Sequence, residues 1–258
     1  MPSALKIPFL PTPGTLFAAI SDPLLSLLYP RPCGTCSGSV ERHELGGSCD
    51  ECWKASRIFR GDETLCGKCG AFLSDSPSQI VPNCGQCTSH EYDGARALGV
   101  YEHAVRTLVI GLKSTPYLSP RSKAELAAAF QRAGFPHDSV VVPVPLSKKR
   151  AIERGYNQAA VIGEFVASTA AMVFDEDSLA RSVDTPLHRI GMDSKARELT
   201  VKNSFVVTRP RAIAGRPVVL VDDVFTSGAT ASACAKVLKK NGATGVFVFT
   251  LARAVRFS

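Results

Sequence analysis

One thirteen-residue run, Val218-Val219-Leu220-Val221-Asp222-Asp223-Val224-Phe225-Thr226-Ser227-Gly228-Ala229-Thr230, constrains the fold of this chain more than any other segment. Four consecutive apolar residues after Pro217 are too few for a helix and suit a central strand buried on both faces. The apolar run ends in Asp222 and Asp223. Adjacent carboxylates at the end of a buried strand are costly unless hydroxyls, a magnesium ion or a cationic side chain takes them up. Thr226, Ser227, Gly228, Ala229 and Thr230 then make a small-residue turn into a helix over residues 231–240, with apolar positions at Ala235, Val237 and Leu238. Loop amides and hydroxyls converging on a helix N-terminus suit a dianionic phosphate. In open α/β sheets, ligands sit outside the carboxyl ends of the strands, where this segment would lie. The bland alternative is an ordinary strand, turn and capped helix with solvated acids. The whole run reads as a site for a sugar phosphate.

A second strand pattern, residues 139–144, exits through Pro143 and Pro145, which force an extended or turning path. Lys148, Lys149, Arg150 and Arg154 follow, four cations within seven residues opposed only by Glu153. As a basic loop before a helix beginning near Asn157, they suit a pyrophosphate, a nucleic-acid backbone, or both; a solvated loop is the alternative.

Residues 219–230 resemble the phosphoribosyl pyrophosphate (PRPP) binding motif of type I phosphoribosyltransferases. That resemblance implies that Asp222 and Asp223 hold the ribose 2′ and 3′ hydroxyls. It also implies that Thr226, Ser227, Gly228, Ala229 and Thr230 wrap the 5′-phosphate, with Mg2+ accompanying PRPP. The segment Val141-Val142-Pro143-Val144-Pro145-Leu146-Ser147-Lys148-Lys149-Arg150, followed by Arg154-Gly155-Tyr156-Asn157-Gln158, resembles the ComF family. These are phosphoribosyltransferase-like proteins linked to DNA uptake in naturally competent bacteria, and the likeness runs from about Cys33 to the C-terminus. Residues 181–205, with Thr185, His188, Arg189, Lys195, Arg197 and Asn203, resemble the variable hood of the phosphoribosyltransferases. His188 stands where a Gln is expected there, and Asn203 follows Arg197 at wider spacing. A lone His in a polar loop is ordinarily solvated.

Eight of the nine cysteines form four knuckles: Cys33-x-x-Cys36, Cys49-x-x-Cys52, Cys66-x-x-Cys69 and Cys84-x-x-Cys87. Two such knuckles complete a tetrahedral thiolate site, so the chain is expected to hold two structural zinc ions. The simplest pairing joins the first knuckle to the second and the third to the fourth; a cross-braced pairing of first with third is open. A disulfide framework would need an oxidising compartment. Residues 1–32 lack a charged start followed by a clean apolar core, so a cytoplasmic location is expected. Iron-sulfur ligation is a weaker competitor. The ninth cysteine, Cys234, reads as a small buried residue.

These anchors divide the chain into an amphipathic helical segment over residues 1–32, a double zinc-ribbon module over 33–88, and a phosphoribosyltransferase-like α/β domain over 95–258. The apolar stretch 16–29 is broken by Asp22 and Pro23 and is too short to span a bilayer. The ribbon module has too few apolar residues for a core of its own without metal. Strands over 97–101, 139–144, 217–221 and 245–251 alternate with helices near 103–113, 121–133, 157–170 and 229–241. This implies a mostly parallel sheet with helices on both faces. Residues 204–208 are read as an edge strand from the hood. A net charge of +7 favours polyanions, but PRPP is one itself. Tyr92, Tyr101, Tyr117 and Tyr156 do not interleave with cations as a single-strand stacking platform would. Two expectations stand: a magnesium-dependent phosphoribosyltransferase, of salvage type for instance, or a PRPP-sensing adaptor that handles single-stranded DNA or the DNA-uptake machinery.

Overall fold

The computed structural model describes residues 31–78, 82–182 and 204–254. The helical reading of residues 16–29 falls outside these, as do Thr185, His188, Arg189, Lys195, Arg197 and Asn203 of the hood.

The Cys-rich segment is built from very short elements. β1 (Arg31–Pro32) and β2 (Ser39–Val40) form one antiparallel pair, α1 spans Asp50–Ala55, and β3 (Thr64–Leu65) pairs with β4 (Phe72–Ser74). The α/β part begins with β5 (Gly94–Val100), α2 (His103–Gly111), α3 (Pro120–Ala133) and β6 (Val140–Pro143). It continues with α4 (Lys148–Arg154), α5 (Gln158–Thr169), β7 (Val173–Phe174), β8 (Leu179–Arg181), β9 (Phe205–Val207) and α6 (Pro210–Ile213). The chain then runs through β10 (Pro217–Phe225), α7 (Ala229–Lys240) and β11 (Gly245–Arg253).

A five-stranded sheet of order β5-β11-β10-β6-β7, parallel throughout, forms the centre. Alternate residues of β10 serve opposite faces, as the strand period of two requires. Val219 and Val221 pack with α2, α3 and α5, around Val105, Leu126, Phe130 and Ile162. Val218 and Leu220 pack with α7, against Ala235 and Leu238. The continuous apolar runs follow from this double burial.

Three sequence expectations are corrected here. β10 does not stop at Val221: Asp222 pairs with Thr250 and Phe225 with Arg253, so both acids lie inside the strand's last turns of pleat. Main-chain pairing with the nine-residue β11 is indifferent to the loss of apolar side chains. The basic segment is a helix, α4, rather than a loop. The Ser147 hydroxyl accepts the Arg150 amide at 3.4 Å, and Gly155 closes the helix in the left-handed region, a standard pair of start and stop signals. Finally, β9 pairs with β8 in a separate two-stranded sheet, while the edge of the main sheet is β7, too short to leave a pattern.

The Cys-rich segment shares its packing with the rest of the chain. Phe59 N donates to Leu98 O at 2.9 Å, Val100 N to Arg57 O at 2.9 Å, and Ala95 N to Lys68 O at 2.7 Å. The segment therefore covers the outer edge of β5, which would otherwise offer unpaired main-chain groups. Gly99 permits this approach, since a Cβ there would meet the Arg57 carbonyl oxygen at 2.4 Å. The two cysteine clusters also straddle the sheet: Cys33, Cys49 and Cys52 join the core on the α2 and α3 side, and Cys66, Cys69 and Cys87 join it on the α7 side. No helix among the described residues is long and apolar enough to cross a membrane.

Candidate functional site

Asp222 and Asp223 sit where β10 reaches the carboxyl edge of the sheet. Both are half-buried. The Asp223 amide donates to Asp222 Oδ1 at 2.8 Å, and Gln158 Nε2 donates to Asp223 Oδ2 at 3.0 Å. Burial, followed by the neighbouring Asp223 charge, raises Asp222 to about 7, with Arg181 pulling the other way. Two carboxylates confined together share poorly, and a cation or hydroxyl donor relieves them.

Beyond the strand, the loop is only three residues, Thr226, Ser227 and Gly228; Ala229 and Thr230 already form the first turn of α7. Gly228 is the N-terminal cap, at φ +81. A Cβ there would lie 2.7 Å from the Phe225 ring and 3.0 Å from His90, so only glycine fits without displacing either ring. Thr226 and Ser227 are exposed at the same edge.

The second motif faces the acids from β6. Asn157 holds the turn twice, accepting the Ala159 amide at 3.1 Å and donating to Val144 O at 3.0 Å. Tyr156 donates to Leu112 O at 2.7 Å. Lys148, Lys149 and Arg150 are exposed on α4, and Lys149 pairs with Glu153 at 3.8 Å. Arg154 turns inward. Among the described residues, its Nη1 is buried without a hydrogen-bond partner, as is the Oε1 of Gln158, a residue only 4% exposed. An orphaned cationic donor and an orphaned acceptor in one motif are costly unless a polar group or ordered water completes them.

Gln158 and Arg181 are missing from the site deduced from sequence. Gln158 stands in the quoted motif with no assigned role, and a buried Gln opening an apolar helix was the available signal. Arg181 donates to Pro145 O at 3.1 Å and stacks at 4.9 Å on Phe205, and nothing in its sequence context marks it. Cys234 is fully buried, and burial followed by the Asp222 charge pushes its thiol well up, which leaves it inert.

The cysteines assemble sequentially. Cys33, Cys36, Cys49 and Cys52 form one cluster and Cys66, Cys69, Cys84 and Cys87 the other, the four sulfurs of each cluster lying within 4.8 Å of one another. Sulfur separations of 3.8 Å for Cys36 and Cys49, 3.7 Å for Cys66 and Cys87, and 3.5 Å for Cys69 and Cys84 exclude disulfides. They match the roughly 3.8 Å edge of a tetrahedron with metal–sulfur bonds of about 2.3 Å. Burial works against ionising Cys33 and Cys66, but amide donors around each sulfur outweigh it and bring both to about 6. Their partners Cys52 and Cys87 are pushed up by burial and by the neighbouring sulfurs. The donor set fits zinc in each cluster. Four protein ligands per ion fill the tetrahedron and make both sites structural.

The model of the double zinc ribbon domain matches residues 24–88. DNA utilization protein YhgH of Salmonella typhi is 30% identical over 223 residues, covering 81% of this chain and 91% of its own. The chain belongs to the ComF/YhgH family. Competence protein F of Haemophilus influenzae is 29% identical over 231 residues, with 86% and 96% coverage, and competence protein ComFC of Bacillus subtilis is 26% identical over 231 residues, with 80% and 90%. The fold of this ComF member is a five-stranded parallel sheet flanked by helices and joined to an N-terminal double zinc ribbon. Among solved structures, glutamine PRPP amidotransferase of Bacillus subtilis, complexed with ADP and GMP, aligns over 55% of this chain and 30% of its own, at 18% identity and a TM-score of 0.38.

A pH prediction follows from Asp222. Its carboxyl is raised in the folded chain, so the stability it contributes is complete below the ordinary value near 3.8 and is lost as pH rises through about 7. Asp222→Asn should therefore raise the melting temperature of the ligand-free protein at pH 8, by a margin of about 1–2 kcal/mol, and leave it unchanged at pH 4. Melting curves at the two pH values check this; an equal effect at both removes the ionisation argument.

Proposed function

We propose that this protein binds PRPP with Mg2+ at the carboxyl edge of β10 and β6, as a phosphoribosyltransferase-like member of its family acting in DNA uptake. The observation that carries the reading is the acid pair Asp222 and Asp223, confined beside a three-residue loop whose glycine opens α7. In this reading the acids accept the ribose hydroxyls, and Thr226, Ser227, Gly228, Ala229 and Thr230 hold the 5′-phosphate. Arg154, with Lys148, Lys149 and Arg150, neutralises the diphosphate. Mg2+, when bound with PRPP beside Asp222 and Asp223, would supply neutralisation of the diphosphate's charge. What the chain itself supplies is positioning and charge stabilisation of the leaving group. Residues 33–88 act as the ribbon module, residues 95–258 as the phosphoribosyl domain, and the protein works in the cytoplasm.

Release of pyrophosphate from PRPP, with nucleobases and with single-stranded DNA as acceptors, tests the transferase form of the proposal. Acceptor-dependent release supports catalysis, and tight PRPP binding without release under any acceptor supports a sensing role.

A second reading, direct binding of single-stranded DNA, is favoured by α4, a helix that buries none of its residues and exposes Lys148, Lys149 and Arg150. If it binds DNA, replacing these three by Gln should weaken binding alike for all sequences. The slope of log affinity against log salt should flatten by about 0.7 per lost contact. An unchanged slope places the DNA contact elsewhere. Arg154→Gln, in contrast, should weaken PRPP binding more than DNA binding, because Arg154 is the inward cation.

A further inference from the structure

The segment leaving the last zinc knuckle runs directly onto the candidate phosphate loop. His90 N donates to Cys87 O at 3.1 Å, and Lys68 Nζ donates to His90 O at 2.7 Å. Glu91 N donates at 3.0 Å to the hydroxyl of Ser232, in the first turn of α7. The second ribbon is thus tied to the same helix whose N-terminus faces the site. These ties lay the His90 ring on Gly228, where a Cβ would meet its Cε1 at 3.0 Å and its Nδ1 at 3.1 Å.

One nitrogen of that ring is taken by a neighbouring hydroxyl. Tyr92 is 1% exposed, and its hydroxyl lies 2.7 Å from His90 Nδ1. With the phenol donating to Nδ1, the imidazole hydrogen stands on Nε2. Nε2, adjacent to the Cε1 atom that abuts Gly228, makes no hydrogen bond among the described residues. Lys68, whose Nζ donates to His90 O, and the Arg253 guanidinium, which stacks 4.3 Å from the Phe225 ring, are the nearby cations.

We propose that His90, delivered by the second zinc ribbon, is a phosphate-binding residue whose Nε2–H donates to the 5′-phosphoryl group seated on the loop at Gly228. The proposal rests on the phosphoribosyl reading above. It gives the ribbon a direct part in ligand recognition, by which a metal-stapled segment supplies one wall of a site whose floor is the α/β domain.

Two near-isosteric replacements separate a ligand contact from mere support of Tyr92. In His90→Gln the amide nitrogen stands where Nε2 stood, whereas in His90→Asn the side chain reaches only the Nδ1 position. The probes are PRPP and pyrophosphate, each with Mg2+, titrated by calorimetry into full chains shown by elemental analysis to carry two zinc ions. His90→Ala and His90→Asn are expected to weaken PRPP binding between about ten- and a hundred-fold, the worth of one hydrogen bond to a charged group. His90→Gln should stay within about threefold of wild type, and pyrophosphate affinity should not change in any variant. Wild-type affinity in His90→Ala overturns the proposal. So does a reversed order, with Asn tolerated and Gln impaired, and so does an equal loss for PRPP and pyrophosphate. A wild type that binds pyrophosphate but not PRPP overturns the phosphoribosyl reading itself.

Discussion

Asp222→Asn combined with Asp223→Asn should leave the chain folded with two zinc ions and weaken Mg2+–PRPP binding by roughly a hundred-fold or more. Two charge-assisted hydrogen bonds from the ribose hydroxyls together contribute about 3 kcal/mol or more. Folding should survive because the acids are a burden without ligand: they are confined side by side, and Gln158 is the neutral donor that holds Asp223. Calorimetry on the folded double variant decides the matter, and unchanged PRPP affinity would remove the ribose site.

Loss of zinc from the second cluster should damage both stability and ligand binding. Cys66→Ser should retain one zinc ion per chain instead of two and lower the melting temperature by roughly 10 °C, since ligation energy there is folding energy. The route from this cluster to the site is short. Arg253 Nη1 donates to Cys69 O, its Nη2 reaches Cys69 Sγ at 3.4 Å, and the same guanidinium covers Phe225 at the end of β10. Tyr92 meets that phenyl ring edge-on at 5.7 Å. A loosened cluster therefore frees Phe225 and the loop that follows it, and PRPP affinity should fall with the metal. Elemental analysis together with calorimetry checks the pair of effects. Two zinc ions retained in Cys66→Ser would contradict the assignment of ligands.

The parallel core was legible because Val218, Val219, Leu220 and Val221 can be buried on both faces only between helices. The cysteine clusters were legible from knuckle spacing, although spacing allowed either pairing and geometry selects the sequential one. The end of β10 was misplaced because apolar pattern reports side-chain burial, whereas its pairing with β11 is a main-chain property that continues through Phe225. α4 escaped notice for the same reason: a helix with no fully buried residue has no apolar stripe, and its evidence lay only in Ser147 and Gly155. Gln158, Arg181 and His90 owe their significance to contacts with segments far away in sequence. No local pattern announces a glutamine that holds an aspartate across the sheet edge or a histidine laid on a distant glycine.

Phosphorus NMR of PRPP tests the central claim most directly, because the ligand's two ends carry separate resonances. With one equivalent of the zinc-loaded chain and Mg2+, both the 5′-phosphate and the diphosphate signals should shift or broaden, the first through the loop at Gly228 and the second through Arg154 and α4. The 5′-phosphate change alone should shrink in His90→Ala. Signals at their free positions with the wild-type chain in excess would contradict a phosphoribosyl site in this protein.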